Sequence, residues 1–239
     1  DVLVQAALDL AWGRFWLDIV RYCDVPESWT IDKNAKAWLY RDWVVQAWND
    51  DVPYDRFLEL QLAADLVPEA RPTDIAALGF LGLSPSYWKE LKLDPGVIKS
   101  VVAEEWEERI HTLSGALLGL NVSCARCHDH KQDPISMEDY YGLAGAFAST
   151  KLAPRSVLSA ADAKVVTEAR AKIEALKKTR DGLLAQKPAH SDEAKQQAEG
   201  LAKQMAELEQ STPQFATPLA YAAEEASLFV LPDGLHRTK

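Results

Sequence analysis

Cys124–Tyr141 reads CARCHDHKQDPISMEDYY and holds two of the chain's three cysteines and two of its five histidines. On the upstream side, Val102, Trp106, Ile110, Leu113, Leu117 and Leu120 recur at three- and four-residue intervals, the period of a helix with one apolar stripe. That helix is expected to run directly into Cys124. Downstream, Ser136 with Asp139 three residues later has the form of a capping box, opening a helix whose inner face is Tyr140, Leu143, Ala144 and Phe147. A cysteine-rich turn entered and left by amphipathic helices points to an all-α fold: an irregular helical domain built around the turn.

The rest of the chain keeps the helical period. Leu10 and Leu17 flank Trp12 and Trp16, and the face continues through Ile19 and Val20. Trp38, Leu39, Trp43, Val44, Val45 and Trp48 form a broad apolar face that ends at Asn49-Asp50-Asp51-Val52-Pro53. Phe57, Leu58, Leu60, Gln61 and Leu62 make the next, which stops by Pro68. From Ser159 the composition shifts to Ala, Lys, Glu and Gln, with Val166, Ala169, Ile173, Leu176, Arg180 and Leu183 on one seam and Ala194, Ala198, Leu201, Met205 and Leu208 on a second. Alternating three-four spacing on both sides of Pro188–Ser191 predicts an antiparallel helical hairpin. SLFVL followed by Pro-Asp-Gly reads as a short β segment and turn near the C-terminus. The expected divisions are a helical domain over 1–155, the hairpin over 156–212 and a C-terminal extension over 213–239.

With 239 residues, 48% of them hydrophobic, the chain can bury a substantial core. Its net charge of −10 and its lack of a Lys/Arg-dense run exclude nucleic acid as a partner, because phosphate binding requires clustered cations; a basic protein partner fits better. No apolar run approaches the roughly 20 residues that span a bilayer, so no transmembrane segment is expected. No secretory leader is visible at the start, which implies one already removed or a fragment. The eight tryptophans are read first as core.

Cys124-Ala125-Arg126-Cys127-His128 permits three chemistries. Two thiols three residues apart can each form a thioether to one edge of a porphyrin, with the next imidazole beneath the iron: the c-type haem attachment pattern. Shuffling this composition would produce it roughly once in two thousand sequences, so chance is a poor explanation. A zinc site would need a fourth ligand beyond Cys124, Cys127 and His128 or His130, and no second Cys pair or His pair supplies it. A redox dithiol would follow a strand in a βαβ setting, whereas a helical pattern leads in here.

SCARCHDHKQDPISMEDYYGLAGAFAST resembles the haem-motif segment of the planctomycete-specific cytochrome-like family, the second of the two cytochrome-type domains named for that phylum. FWLDIVRYCD, WLYRDWVVQAWNDDVPYDRFLELQLAADLVP and ERIHTLSGALLGLNVSCARCHDHK resemble successive blocks of the same domain, so the likeness covers Trp12–Thr150. The resemblance implies an exported, periplasmic or cell-surface protein with covalent haem c, commonly followed by a further C-terminal domain. Cys23 and His111 depart from the family's usual residues, and Ser84–Gly96 matches it poorly.

On this reading Cys124 and Cys127 attach the haem and His128 is the axial ligand of its iron. Arg126 is a propionate partner and His130 a hydrogen-bonding neighbour on the proximal side. Arg21, Arg41 and Arg109 are further guanidinium candidates, each competing with an ordinary ion pair. Met137 and His111 are the distal candidates. His111 precedes Cys124 by about 3.6 turns, roughly 20 Å of straight helix, which is awkward unless the chain folds back. His190, His236 and Met205 are weaker choices, with Met205 placed on the hairpin seam. The expected function is one-electron transfer with a redox partner protein. The rivals are a haem enzyme with an open, peroxidase-like distal site and an interaction module with a structural Cys/His metal site.

Overall fold

Helices account for most of the fold, as the periodicity predicts. The computed structural model describes residues 2–24, 35–81, 94–185, 192–225, 228–230 and 236–238, with the side chains of 2–10, 35, 95, 98, 99, 101, 102, 151, 192–194, 228–230 and 236–238 excluded. Pro188–Ser191 with His190, most of Ser84–Gly96, and the Pro-Asp-Gly turn lie outside these residues. The helices are α1 (Val2–Ile19), α2 (Trp38–Asn49), α3 (Tyr54–Ala63), α4 (Pro95–Leu113), α5 (Met137–Ala148), α6 (Ala160–Ala185) and α7 (Asp192–Ser211). No helix among the described residues is long and apolar enough to cross a membrane.

The chain divides into two compact units, 1–155 with 219–239, and 156–218. In the first, α1, α2 and α3 meet through an aromatic layer. Phe57 lies edge-on to Trp16 with ring centroids 5.1 Å apart and stacks on Trp43 at 5.4 Å. Buried aromatic polar tips need partners. Gln61 supplies one, accepting hydrogen bonds from the Trp16 indole (3.0 Å) and the Tyr40 hydroxyl (2.7 Å) while its amide donates to the Phe57 carbonyl (3.2 Å). Trp43 donates to Asp74, which also receives the Arg71 amide and guanidinium. Burial raises the Asp74 pKa, but the bonds from Arg71 and Trp43 outweigh it and hold the carboxyl below the usual range. In α2 the buried positions are Tyr40, Trp43, Val44 and Ala47, while Trp38 is left 38% exposed; the core stripe is therefore rotated from the one suggested by the tryptophans alone.

The apolar run that begins at Ile75 sits in a 3-10 helix, Pro72–Leu81, whose Ala76, Ala77, Leu78 and Phe80 are all buried. Strand β3 (Leu219–Glu225) packs against it through Ala220 and Ala222, small enough for close approach. β3 is the centre of a three-stranded sheet, flanked by β1 (Ala35–Lys36), to which it runs parallel, and β2 (Thr150–Ser156). Helical periodicity did not foresee this sheet, and through it Leu219–Glu225 lies within the first unit. Arg155 ties the unit together, donating to Asp65 at 3.0 Å and to the Ala223 carbonyl at 3.1 Å. The expected C-terminal β segment is β4 (Leu228–Val230), antiparallel to β5 (His236–Thr238), which contains His236.

The second unit is the hairpin. With only six residues between them, α6 and α7 can pack along their lengths only by running antiparallel. Val166, Ala169 and Ala198 are buried, and Ile173, Leu176, Arg180, Leu183, Leu201, Met205 and Leu208 are half-buried, while nearly every residue between them is exposed. Apart from Ala194, whose side chain lies outside the described residues, the seam follows the predicted spacing. Ser159 caps α6 by bonding to the Asp162 amide and carboxylate.

Candidate functional site

The cysteine motif is carried by a separate 3-10 turn that follows the end of the helix, not by the helix itself. After Leu113 the α4 backbone widens into a π turn, Ser114–Leu118, and is closed at Gly119, which takes the left-handed conformation (φ 66°, ψ 20°). The amides of Gly119 and Leu120 both turn back to the Ser114 carbonyl. The helix therefore does not reach Cys124, so the roughly 20 Å of straight helix that counted against His111 does not exist. Asn121 then caps a 3-10 turn, Val122–Arg126, by accepting the Ser123 amide.

A 3-10 turn has three residues per turn, so positions three apart eclipse one another. Val122 and Ala125 share the inner side and are buried at 3% and 0% exposure, packed with Ile110, Tyr140, Ala144 and Phe147. Cys124 and Cys127 share the outer side, exposed and without a disulfide. Burying the first pair obliges the second to face solvent together.

His128 follows, exposed, with Nδ1 2.7 Å from the Asp129 carbonyl. That contact favours a proton on Nδ1 and leaves Nε2 as the available lone pair. His130 is oriented differently. Its Nδ1 accepts the Asp133 amide at 2.9 Å, with the Asp133 carboxylate at 3.2 Å, and its own amide donates to the Ile135 carbonyl. The imidazole thus pins the loop between the motif and α5. The predicted capping box at Ser136 and Asp139 is present, and the same bonds from Ser136 hold the Asp139 carboxyl below its usual range.

Two contacts fix α5 against the motif. Asp129 accepts the Met137 amide at 2.9 Å, and the Tyr141 hydroxyl donates to the Arg126 carbonyl at 3.2 Å. Met137 and Tyr141, one turn apart, are 39% and 55% exposed. Large apolar groups left open on the helix that is bonded to the motif are what a flat apolar macrocycle would cover. This exposed face and the unbonded thiols fit a covalently attached haem. Tyr141 was missed in the sequence, where only the inward Tyr140 carried a periodic signal; its i, i+4 relation to Met137 was the available clue.

The guanidinium candidates are engaged elsewhere. Arg126 pairs with Glu107 and Arg21 with Glu108; Arg41 meets Asp42 and Asp24, and Arg109 donates to the carbonyls of Phe147 and Thr150. Burial lowers the Arg126 pKa, but the Glu107 carboxylate overcomes this and the net shift is upward. His111 is half-buried, with Nε2 4.0 Å from where a side chain on Gly115 would begin. Cys23 is half-buried. Among the described residues no three His, Cys, Asp or Glu side chains are gathered as a metal-binding group.

A family model described as PSCyt2, a protein of unknown function (DUF1549), matches residues 2–152. The chain belongs to the PSCyt2 family. The match ends close to the boundary of the first unit, so the motif and its supporting helices lie within the PSCyt2 region and the hairpin follows it. No curated protein and no solved structure matches the chain.

Proposed function

We propose that this PSCyt2 domain is a c-type cytochrome, with haem attached through Cys124 and Cys127, that transfers single electrons to or from a protein partner in an exported or periplasmic setting. The observation that carries the reading is the pairing imposed by the 3-10 turn: Val122 and Ala125 inward, Cys124 and Cys127 outward together, and His128 next in line with Nε2 available. Bound there, a haem supplies a one-electron couple at its iron.

The chain's own groups have separate tasks. The two thiols would hold the macrocycle, His128 would ligate its iron, and Met137 and Tyr141 would offer apolar cover. Asp129 orders the His128 loop through the Met137 amide, and His130 rigidifies it through Asp133. Arg126, as a propionate partner, would have to share its guanidinium with Glu107. Of the distal candidates, Met137 begins α5 beside the proximal loop, whereas His111 stands before the π turn. A zinc reading is less well served, since zinc needs three or four converging side chains, whereas a haem brings four of the iron's ligands itself.

The test is production of the chain in a host with active cytochrome c maturation. Haem should survive denaturation and acid acetone, and the peptide containing both cysteines should carry its mass. Haem extracted by acid acetone would reject covalent attachment. A low-spin, six-coordinate spectrum supports electron transfer; a high-spin spectrum that shifts with peroxide would favour the peroxidase-like alternative instead.

A further inference from the structure

A second candidate site lies in the α2–α3 connection, away from the cysteine motif in the sequence. A cavity of about 230 Å³ is lined by Trp48, Tyr54 and Phe57, with Val52, Pro53 and Asp51 completing it. The Trp48 and Phe57 rings lie 5.9 Å apart at 58°. The volume is below the roughly 300–1,000 Å³ of pockets that hold drug-sized ligands, so the space suits a small headgroup.

Asp51 gives the cavity its sign. It has φ 50°, the left-handed conformation, at the position where a helix C-terminus usually carries glycine. Its amide bonds to the Trp48 carbonyl and the Val52 amide to the Ala47 carbonyl, which is the Schellman closure of α2. Arg21 closes α1 in the same conformation, but its guanidinium is paired with Glu108. Among the described residues the Asp51 carboxylate has no partner, while the adjacent Asp50 accepts from Gln46. A left-handed aspartate accepts strain that glycine would avoid, and Asp51 lines the same cavity as the aromatic residues Trp48, Tyr54 and Phe57. The last carbonyls of α2 and the first amides of α3 border the same turn with opposite partial charges, so the fixed charge of Asp51 decides the potential.

Aromatic rings around a carboxylate are the chemistry that recognises an alkylated ammonium: ring quadrupoles attract the diffuse positive charge, methyl groups fill the apolar space, and the carboxylate neutralises it. We propose that this cavity binds a small free alkylammonium solute bearing a trimethylammonium-type headgroup.

The experiment titrates the full chain with choline and with dimethylbutanol, its neutral carbon isostere, by calorimetry and tryptophan fluorescence. Choline should bind saturably and about tenfold or more tighter than the isostere. Asp51→Gly should weaken choline by about tenfold or more while leaving the protein at least as stable, because glycine relieves the left-handed strain. Tyr54→Ala, at a residue 56% exposed and therefore cheap to truncate, should weaken choline several-fold, whereas Tyr141→Ala should not. Equal binding of choline and its isostere, wild-type affinity in D51G, or no saturable binding would each overturn the proposal.

Discussion

Gly119 and Gly142 offer the sharpest check on how the motif is positioned, because the same substitution should have opposite effects at the two sites. Neither glycine has any heavy atom within 4 Å of the place a Cβ would occupy, so steric clash contributes to neither. Gly119 has φ 66°, and an L-residue held in that conformation costs about 1–2 kcal/mol. Reduced freedom in the unfolded chain returns about 0.4–1 kcal/mol. Gly119→Ala should therefore destabilise by about 1 kcal/mol. Gly142 sits inside α5, where alanine is favoured by about 0.8–1 kcal/mol, so Gly142→Ala should stabilise by nearly that amount. The two variants should differ by about 2 kcal/mol. Urea unfolding of the apo-protein followed by tryptophan fluorescence measures this cleanly, since all eight tryptophans lie outside 156–218 and report only on the first unit. The slope should be unchanged and the midpoint should move in opposite directions. Shifts of the same sign would refute the left-handed closure at Gly119, and with it the account of how α4 is turned into the cysteine motif.

Gln61→Leu should cost about 2–3 kcal/mol because it leaves the buried Tyr40 O–H without its acceptor and Trp16 with only the longer bond to that hydroxyl, whereas Tyr40→Phe leaves Trp16 and Gln61 paired and should cost only about 1 kcal/mol; equal costs in urea would discount the network. Asp74 has a lowered folded pKa, so its stabilising contribution is present above the ordinary aspartate value of about 3.9 and is lost as pH falls through the folded value. The stability gap between wild type and Asp74→Asn should therefore shrink on acidification below about pH 4, and a gap constant with pH would contradict the assignment. In the matured holoprotein His130→Ala should leave haem attached and the spin state unchanged, with a modest shift in potential, while His128→Ala alters the spin state or prevents stable incorporation. A switch to high spin in H130A would mean that His130, not His128, ligates the iron. Joining Arg155 to Leu219 through a short Gly/Ser linker should leave the tryptophan emission and urea midpoint of the first unit unchanged; loss of folding would show that the hairpin is required.

Elements whose burial follows their own period were legible in the sequence. The α5 face, the capping box at Ser136 and the hairpin seam all obey a local rule in which residue spacing alone selects what is buried. The misreadings arose where tertiary context chose between equivalent patterns. Leu117 and Leu120 continue the α4 stripe in spacing, and only the left-handed Gly119 reveals that the helix has already ended. In α2 the indole rings suggested the face, yet Tyr40 and Ala47 are buried and Trp38 is not, because α1, α3 and the 3-10 helix decide which side is covered. The strands β2 and β3 pair 63 or more positions apart in the chain, a relation no local period encodes. At the site, the residue types of the motif were plain, and the i, i+4 relation of Tyr141 to Met137 was its one spacing clue, but the role of Asp129 depends on loop closure and had no spacing signature.

The charge distribution bears on the proposed partner. Ser156–Pro218 carries nine basic and nine acidic residues, so the excess of −10 belongs entirely to the first unit. Screening at physiological salt limits each charge to about 8 Å, so only those near the motif can steer an encounter with it. Glu107 and Glu108 are the wrong ones, since Arg126 and Arg21 neutralise them. Asp129, Glu138 and Asp139 are exposed in the loop and first turn beside Met137, with Lys131 the only cation between Cys127 and Ala148. An electron-transfer partner approaching this surface would therefore meet a negative face, and a basic docking surface would be drawn to it. The rate of such a reaction should fall as salt is raised, the opposite of what two acidic surfaces would give.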